Sequence, residues 1–330
     1  MPDAYLLLSY GGPDKPEDIV PFLRNATGGR GIPDERLEEV GEHYHLFGGK
    51  SPINELNRRL MANLAEELRK RGDDRPIELG NRNWHPYGTE AITKLYEGGA
   101  RNIRAITTAA YSSYSSCRQY REDIARWMGE LGYEDLAIEK VGPYWDTPGF
   151  YAATKNAVKA ALDEACDCAR LVFVTHSIPT AMNEASGRTE PLTYEAQHLD
   201  LAGRLAADLG VADWDLVYCS RSGAPHIPWL EPDVCDHLEG LAERGVRSVV
   251  LAPIGFISDH MEVLFDLDTE AKAKAEELNM GFVRAATIDD DPRFISQLAD
   301  LLENPGSTSY SAESCWSGPN PPTVPAVGED

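Results

Sequence analysis

The sequence predicts an α/β protein of two halves, each with a parallel sheet covered by helices on both faces. Short apolar segments of strand length alternate with helical patterns along the chain, which is typical of βαβ units. The length of 330 residues exceeds the ~250–300 residues at which single cores usually stop growing, which favours two units. No apolar run approaches the ~20 residues that a membrane span needs, so stable membrane insertion is not expected.

Four strands and five helices are predicted in the first half. Residues 5–11 form a nearly continuous apolar run that ends at glycine, as expected of a buried strand. A helix should begin after Lys15-Pro16, and residues 52–71 carry leucines four positions apart. The predicted strands cover residues 5–11, 76–82, 102–112 and 136–142, and the predicted helices cover residues 17–26, 35–46, 52–71, 88–98 and 116–131.

The second half repeats this alternation. Its predicted strands cover residues 169–178, 214–220, 248–256 and 281–287, and its predicted helices cover residues 149–165, 194–209, 233–244, 260–279 and 292–303. These boundaries predict domains over residues 1–145 and 146–304, with the last helix able to pack back on the first domain. Residues 305–330 are rich in Pro, Ser and Gly, a composition that buries too little apolar area to order the chain, and they are predicted to be disordered.

Charge and cysteine content narrow the possible functions. The chain has 54 acidic and 31 basic side chains and a net charge of -23, so nucleic acid is not an expected partner. The N-terminus lacks the basic region and apolar length of a secretory signal, which predicts a cytoplasmic protein. The six cysteines are then expected to be thiols. Cys166 and Cys168 form a Cys-x-Cys pair that could bind a soft metal, or could have no metal role.

The candidate catalytic groups lie at strand ends. The sequence contains no GxGxxG, GxxxxGK[ST], HExxH or GxSxG motif, so nucleotide chemistry is not indicated. His176 stands where the apolar strand LVFVTH ends, and ligands of open α/β sheets bind at this edge. An imidazole there could ligate a metal or accept a proton, although a lone histidine can also be purely structural.

Three carboxylates follow another strand end. Glu262, Asp266 and Glu270 are spaced four apart, so an α-helix would place them on one face. Such a column either is a solvated acidic face or attracts a divalent cation toward Glu262, the innermost member. A histidine with a carboxylate suits ferrous iron or zinc, and so few ligands would release the metal again. This pattern favours a site of metal transit.

Several segments, taken in order over nearly the whole chain to about residue 303, resemble the ferrochelatase family. They are YLLLSYGGPDKPEDIVPFLRN, GGKSPINELNRR, NRNWHPYGTEAITKLYEGGARNI, YSSYSSCRQYRED, VTHSIP, CSRSGAPHIPWLEPDV and GFISDHMEVLFDLD. The pattern is most similar to actinobacterial and other Gram-positive members, which act on coproporphyrin III instead of protoporphyrin IX.

The resemblance implies the chelatase fold, with two Rossmann-like domains around a porphyrin cleft. His176 and Glu262 match the family's metal-site pair, and Tyr10 matches the tyrosine that approaches the iron from the opposite porphyrin face. Ser51 and Tyr120 match propionate-binding positions. The residues themselves also allow structural roles: Tyr10 could fill the end of the first strand, Ser51 could cap a helix, and Tyr120 could be an interfacial aromatic.

The chain departs from the family pattern at two places. In the loop NATGGRGIP, Gly28 stands where several relatives have arginine, which leaves Arg30 as the nearest guanidinium and a candidate propionate ligand. Some actinobacterial members hold an iron-sulfur cluster through one internal and three C-terminal cysteines, but the tail here has only Cys315. No such cluster is therefore predicted.

The resemblance also implies the partners. Fe2+ and coproporphyrin III are the expected substrates, no cofactor is expected, and a monomer that passes coprohaem to a downstream enzyme is predicted. Four alternatives remain open: a protoporphyrin IX ferrochelatase, a cobalt chelatase for a sirohydrochlorin-type ring, a non-enzymatic tetrapyrrole or metal carrier of the same fold, and a hydrolase that uses His176.

Overall fold

The computed structural model describes residues 1–28, 32–186, 192–222, 226–307 and 326–327. These residues form two four-stranded parallel sheets with helices on both faces. The strands are β1 Ala4–Ser9, β2 Ile77–Asn81, β3 Asn102–Thr107, β4 Ala137–Lys140, β5 Arg170–His176, β6 Trp214–Cys219, β7 Ser248–Ala252 and β8 Gly281–Arg284. The predicted fold class is confirmed.

The helices lie between these strands as the sequence alternation predicts. They are α1 Ile19–Ala26, α2 Asp34–His45, α3 Ile53–Lys70, α4 Gly88–Glu97, α5 Gln119–Leu131, α6 Pro148–Glu164, α7 Thr180–Ser186, α8 Tyr194–Leu209, α9 Val234–Glu243, α10 Lys272–Glu277 and α11 Pro292–Glu303. Two π-helical segments, Tyr114–Arg118 and Val263–Ala271, precede α5 and α10 directly. No helix in the described ranges has the length and apolar character to cross a membrane.

The two sheets have the same topology. Their strand orders are β2-β1-β3-β4 and β6-β5-β7-β8, so β1 and β5 occupy equivalent inner positions. Every residue of β1 is buried, and so are the five residues between the ends of β5. The residues that follow β1 and β5 therefore emerge at corresponding edges of the two sheets, where a parallel sheet binds its ligands.

The two halves pack closely through α11, which contacts both α3 and α6. Arg71, at the end of α3, bonds Asp300 at 2.6 Å and Glu303 at 3.0 Å on α11. Its guanidinium also donates to the carbonyl of Ser296 at 2.9 Å. Because one apolar cluster runs from Tyr5 and Leu60 to Phe173 and Phe294, the halves share a core.

The structure differs from the sequence prediction at several elements. Three strands are shorter than predicted: those expected over residues 102–112, 248–256 and 281–287 end at Thr107, Ala252 and Arg284. Most of the apolar residues that follow them are buried in loops, which is why the sequence pattern extends the strands too far. Helix α7 was not predicted, and the helix predicted over 260–279 is π-helical over Val263–Ala271.

The Cys166–Cys168 pair corrects the expectation that all the cysteines are thiols. The structure joins these two residues in a disulfide. They follow α6 in a turn that brings their Cα atoms to 5.2 Å, which lies within the usual disulfide range.

The C-terminal residues are described only in part. Pro305–Ser307 form one 3-10 turn, and Val327 accepts a hydrogen bond from Nε of Arg121 at 2.8 Å. Residues 308–325 and 328–330, which include Cys315, lie outside the described residues. The predicted disorder of residues 305–330 and the predicted domain boundaries stay predictions.

Candidate active site

His176 is the last residue of β5, opposite Cys219 of β6 in the sheet register. Its Nδ1 donates a hydrogen bond to the carbonyl of Ser177, and this contact directs Nε2 toward Glu262. The distance from Nε2 to Oε2 of Glu262 is 3.5 Å. The side chains are 31% and 47% exposed, so the pair is open to solvent on one side. The two residues chosen from the sequence therefore meet, although 86 positions separate them.

Glu262 lies in the first turn of a helix that spans residues 261–277. Its backbone N–H donates to Nδ1 of His260 at 3.2 Å, so that nitrogen of His260 is unprotonated. The same nitrogen lies 3.8 Å from Oε2 of Glu262. His260 thus holds the start of the helix and adds a second imidazole beside the carboxylate.

The His176–Glu262 pair is charged at neutral pH. Burial on its own would lower the pKa of His176, but the Glu262 carboxylate and the Ser177 carbonyl outweigh it and raise the pKa to about 9. Burial would raise the pKa of Glu262, yet His176 and His260 bring it to about 2. These opposite pKa shifts favour an imidazolium–carboxylate pair in the metal-free site. A metal must displace this proton before His176 can ligate it.

Asp266 lies farther along the same helix, in the π-helical segment. Its Oδ2 accepts a hydrogen bond from the Ser220 hydroxyl, which follows β6. Burial raises the pKa of Asp266 to about 7; the Ser220 bond opposes this, and the negative charges of Glu262 and Glu270 add to it. The three carboxylates thus act on one another electrostatically, with Asp266 between the other two.

The opposite wall of the site comes from the first half. Tyr10 follows β1, is 43% exposed, and packs its ring edge-on against Phe22 with centroids 6.2 Å apart. Phe22 also contacts the buried Tyr44. Burial raises the pKa of Tyr44, and the negative charge of Glu262 and the Tyr10 hydroxyl add to the rise. Tyr44 therefore lies within electrostatic reach of both Tyr10 and Glu262.

A ring stack joins α2 to the helix of the carboxylates. The imidazole of His43 lies parallel to the ring of Phe265, with centroids 3.7 Å apart. Burial raises the pKa of Glu270, and the nearby His43 opposes this rise. His43 and Tyr44 are not among the site residues that the sequence predicts. Their contacts across the cleft have no local sequence signal.

The three propionate candidates are placed differently. Ser51 is 5% exposed, and its Oγ accepts the N–H of Ile53 at 3.4 Å, at the start of α3. Tyr120 is 4% exposed, with the guanidinium of Arg82 3.9 Å above its ring. The structure gives both residues structural contacts and does not bring Tyr120 into contact with the His176–Glu262 pair. Arg30 lies outside the described residues.

The chain matches a known protein family over most of its length. The model of the family described as Ferrochelatase matches residues 2–305. The chain belongs to the ferrochelatase family.

Among the described residues, no group of three or more His, Cys, Asp or Glu side chains could hold a metal ion together.

Members of this family from actinobacteria are similar over most of their length. A coproporphyrin III ferrochelatase from Streptomyces griseus is 52% identical over 317 residues, covering 91% of this chain and 84% of the relative. The protein of that name from Nocardia farcinica is 48% identical, with coverage of 91% and 87%. The one from Mycolicibacterium smegmatis is 45% identical, with coverage of 99% and 95%.

Solved structures show the fold independently. The sirohydrochlorin chelatase SirB from Bacillus subtilis subspecies spizizenii, in complex with cobalt, superposes with a TM-score of 0.53. The match covers 92% of this chain and 94% of that chain at 14% identity. SirB from Bacillus subtilis with Fe3+ gives a TM-score of 0.54 at 13% identity, with coverage of 93% and 98%. At this identity the likeness is one of fold alone.

Proposed function

We propose that this chain inserts Fe2+ into coproporphyrin III to form coprohaem in haem biosynthesis. The observation that carries the proposal is the His176–Glu262 pair at the carboxyl edge of the second sheet, with Tyr10 at the corresponding edge of the first. Curated relatives named coproporphyrin III ferrochelatase, 44–52% identical to this chain, support this substrate over protoporphyrin IX.

The carboxylates provide the route of the metal. A hydrated Fe2+ is attracted by Glu270 and Asp266 and loses water as it reaches Glu262. Its arrival displaces the Nε2 proton of His176 into solvent, so that imidazole and carboxylate hold the ion together. Because two protein ligands bind iron weakly, the four ring nitrogens can take the ion from them.

The same pair removes the protons. Insertion releases two N–H protons from the porphyrin for each Fe2+ that enters. When the metal leaves the pair, the neutral imidazole of His176 accepts one proton, and Glu262 passes the other toward solvent. This restores the imidazolium–carboxylate pair of the metal-free site. A cleft that holds the ring bent would expose the nitrogen lone pairs to the ion.

The remaining assignments belong to the same proposal. Tyr10 faces the ring opposite His176, and Ser51, Tyr120 and Arg30 bind propionates. Since Ser51 and Tyr120 are buried, porphyrin entry must rearrange their surroundings. Iron is a substrate, and neither a cofactor nor an iron-sulfur cluster takes part.

The proposal extends to the setting of the enzyme. One chain supplies both walls of the site, which supports action as a monomer. Residues 1–145 and 146–304 act as the two domains that enclose the ring. The proposed location is the cytoplasm, and the water-soluble product passes to a coprohaem-handling enzyme.

The test is His176→Ala under anaerobic conditions. We expect iron insertion to fall by about 10²–10⁴-fold, while quenching of tryptophan fluorescence shows unchanged porphyrin affinity. His237→Ala is the matched control, because it removes a histidine 3.2 Å from Asp215 at the other end of the second sheet. Near-normal turnover of His176→Ala would contradict the assignment. Tight porphyrin binding without insertion by the wild type would instead indicate a carrier.

A further inference from the structure

A buried hydrogen-bond network lies directly behind His176. Thr175, the preceding residue of β5, is fully buried, and its hydroxyl lies 2.8 Å from the Tyr194 hydroxyl and 2.9 Å from Nε2 of His198. The Tyr194 hydroxyl also donates to the backbone carbonyl of His176 at 3.1 Å. This set, Thr175, Tyr194 and His198, is called the Thr175 network below.

The direction of each bond in the Thr175 network follows from one imidazole. Nδ1 of His198 lies 2.8 Å from the carbonyl of Tyr194, which can only accept, so Nδ1 carries the proton. Burial lowers the pKa of His198 to about 3, so the ring is neutral and Nε2 is an acceptor. The Thr175 hydroxyl must then donate to Nε2, so the single proton of the Tyr194 hydroxyl is shared between Oγ1 of Thr175 at 2.8 Å and the His176 carbonyl at 3.1 Å.

Tyr194 is itself held rigidly at the first turn of α8. Its backbone N–H donates to Oγ of Ser186 at 2.8 Å, and the next N–H, of Glu195, donates to Oδ1 of Asn183 at 2.9 Å. The side chain of Thr193 caps the helix through the N–H of Ala196. The hydroxyl of Tyr194 is therefore a fixed donor, which does not have to be ordered when substrate arrives.

The first half closes the network from the other side. The ring of Tyr111 stacks on His198 with centroids 3.6 Å apart, and its hydroxyl donates to the carbonyl of Ile254 at 2.8 Å. A Cβ added to Gly255 would meet Oγ1 of Thr175 at 2.1 Å, so the backbone after β7 leaves Thr175 no room to move. Elements from both halves thus fix the Thr175 network.

From these contacts we propose that Tyr194 is a positioning residue for iron insertion, whose hydroxyl fixes the His176 carbonyl and thereby the direction of the imidazole toward Glu262. The N–H of the same peptide, from Ser177, donates to the carbonyl of Cys219 at 2.8 Å, and the imidazole is held by the bond from its Nδ1 to the Ser177 carbonyl. Loss of the Tyr194 bond would leave the last peptide of β5 held through its N–H alone, so that the peptide can tilt and take the ring with it. The inference rests on the proposed role of His176 in the reaction.

The test uses Tyr194→Phe, which removes the hydroxyl and keeps the ring. We expect kcat to fall about tenfold, because a catalytic group that is displaced by 1 Å can cost ~10²-fold and the loss of one hydrogen bond should move the imidazole less than that. KM for the porphyrin should stay within about twofold of the wild-type value. Tyr144→Phe is the matched control, because Tyr144 is also buried and donates to the carbonyl of Thr107 at 2.6 Å, away from His176. An unchanged kcat for Tyr194→Phe, or an equal loss in both variants, would overturn the proposal.

A double variant separates positioning from general structural damage. In the His176→Ala background, Tyr194→Phe should not lower the residual rate further, because the group it positions is absent. A full tenfold loss in that background would refute action through His176. If the wild type inserts no iron, the proposed function fails, and NMR of the ring nitrogens still decides the inference. Their signals in His176 should shift in Tyr194→Phe and stay unchanged in Tyr144→Phe.

Discussion

Acid should destabilise this protein in part through His198. The ring is fully buried, and its pKa falls from 6.5 to about 3 because burial disfavours the imidazolium. Since the folded-state pKa lies below the unfolded-state value, the unfolded chain binds the proton first. The stability contributed by the neutral ring is therefore present above pH 6.5 and is lost as the pH falls from 6.5 toward 3.

The size of the effect follows from this difference in pKa. Between pH 7 and pH 5, protonation of the unfolded state should cost about 2 kcal/mol of stability for this one histidine. His198→Gln removes the titration and leaves an amide that can still accept the bond from Thr175. The variant should be less stable at pH 7, but its stability should fall about 2 kcal/mol less than that of the wild type over this interval.

The assay is urea unfolding followed by tryptophan fluorescence at pH 7 and pH 5. The other histidines and carboxylates are common to both proteins, so their contributions cancel in the difference between the two pH dependences. An equal loss of stability in His198→Gln and in the wild type would refute the reasoning. It would mean that the buried imidazole is protonated at little cost.

Three further predictions concern the carboxylates and the contact between the halves. At pH 8, above the pKa of about 7 at which Asp266 ionises, Asp266→Asn should raise KM for Fe2+ about tenfold and leave KM for the porphyrin unchanged, because one of the charges that attract the ion is lost. Equal KM values for iron would contradict the route. Glu262→Gln should lower kcat by about 10²-fold or more in the same assay, with porphyrin binding retained. Arg71→Met should lower the free energy of unfolding by about 2 kcal/mol in urea unfolding, because it leaves Asp300 and Glu303 without their partner. The control Arg36→Met breaks one exposed ion pair and should lower it by under about 0.5 kcal/mol.

The sequence predicted the parts of the site that depend on strand order. His176 ends a buried strand, and a parallel sheet sends its strand ends to one edge, so the placement follows from the hydrophobic pattern alone. Glu262 could be chosen because it follows β7 and opens a column of acidic residues. Tyr10 is a site candidate only through the family resemblance, and in the structure it follows the equivalent inner strand of the first sheet.

Other features could not be read from the sequence because they depend on tertiary contacts. The segment Val263–Ala271 has ordinary helical periodicity, and nothing in it indicates π-helical hydrogen bonds. Tyr194 lies 18 positions from His176, and only the packing of α8 on β5 brings its hydroxyl to the carbonyl. Ring contacts such as His43 on Phe265 likewise join residues from different halves.

The most direct test of the account is anaerobic turnover of the wild-type protein with Fe2+, followed by the loss of porphyrin fluorescence. Coproporphyrin III and protoporphyrin IX are compared side by side at equal concentration. The account predicts rapid insertion into coproporphyrin III and a clear preference for it. A preference for protoporphyrin IX would contradict the proposed substrate, and no insertion into either ring would contradict the proposed reaction.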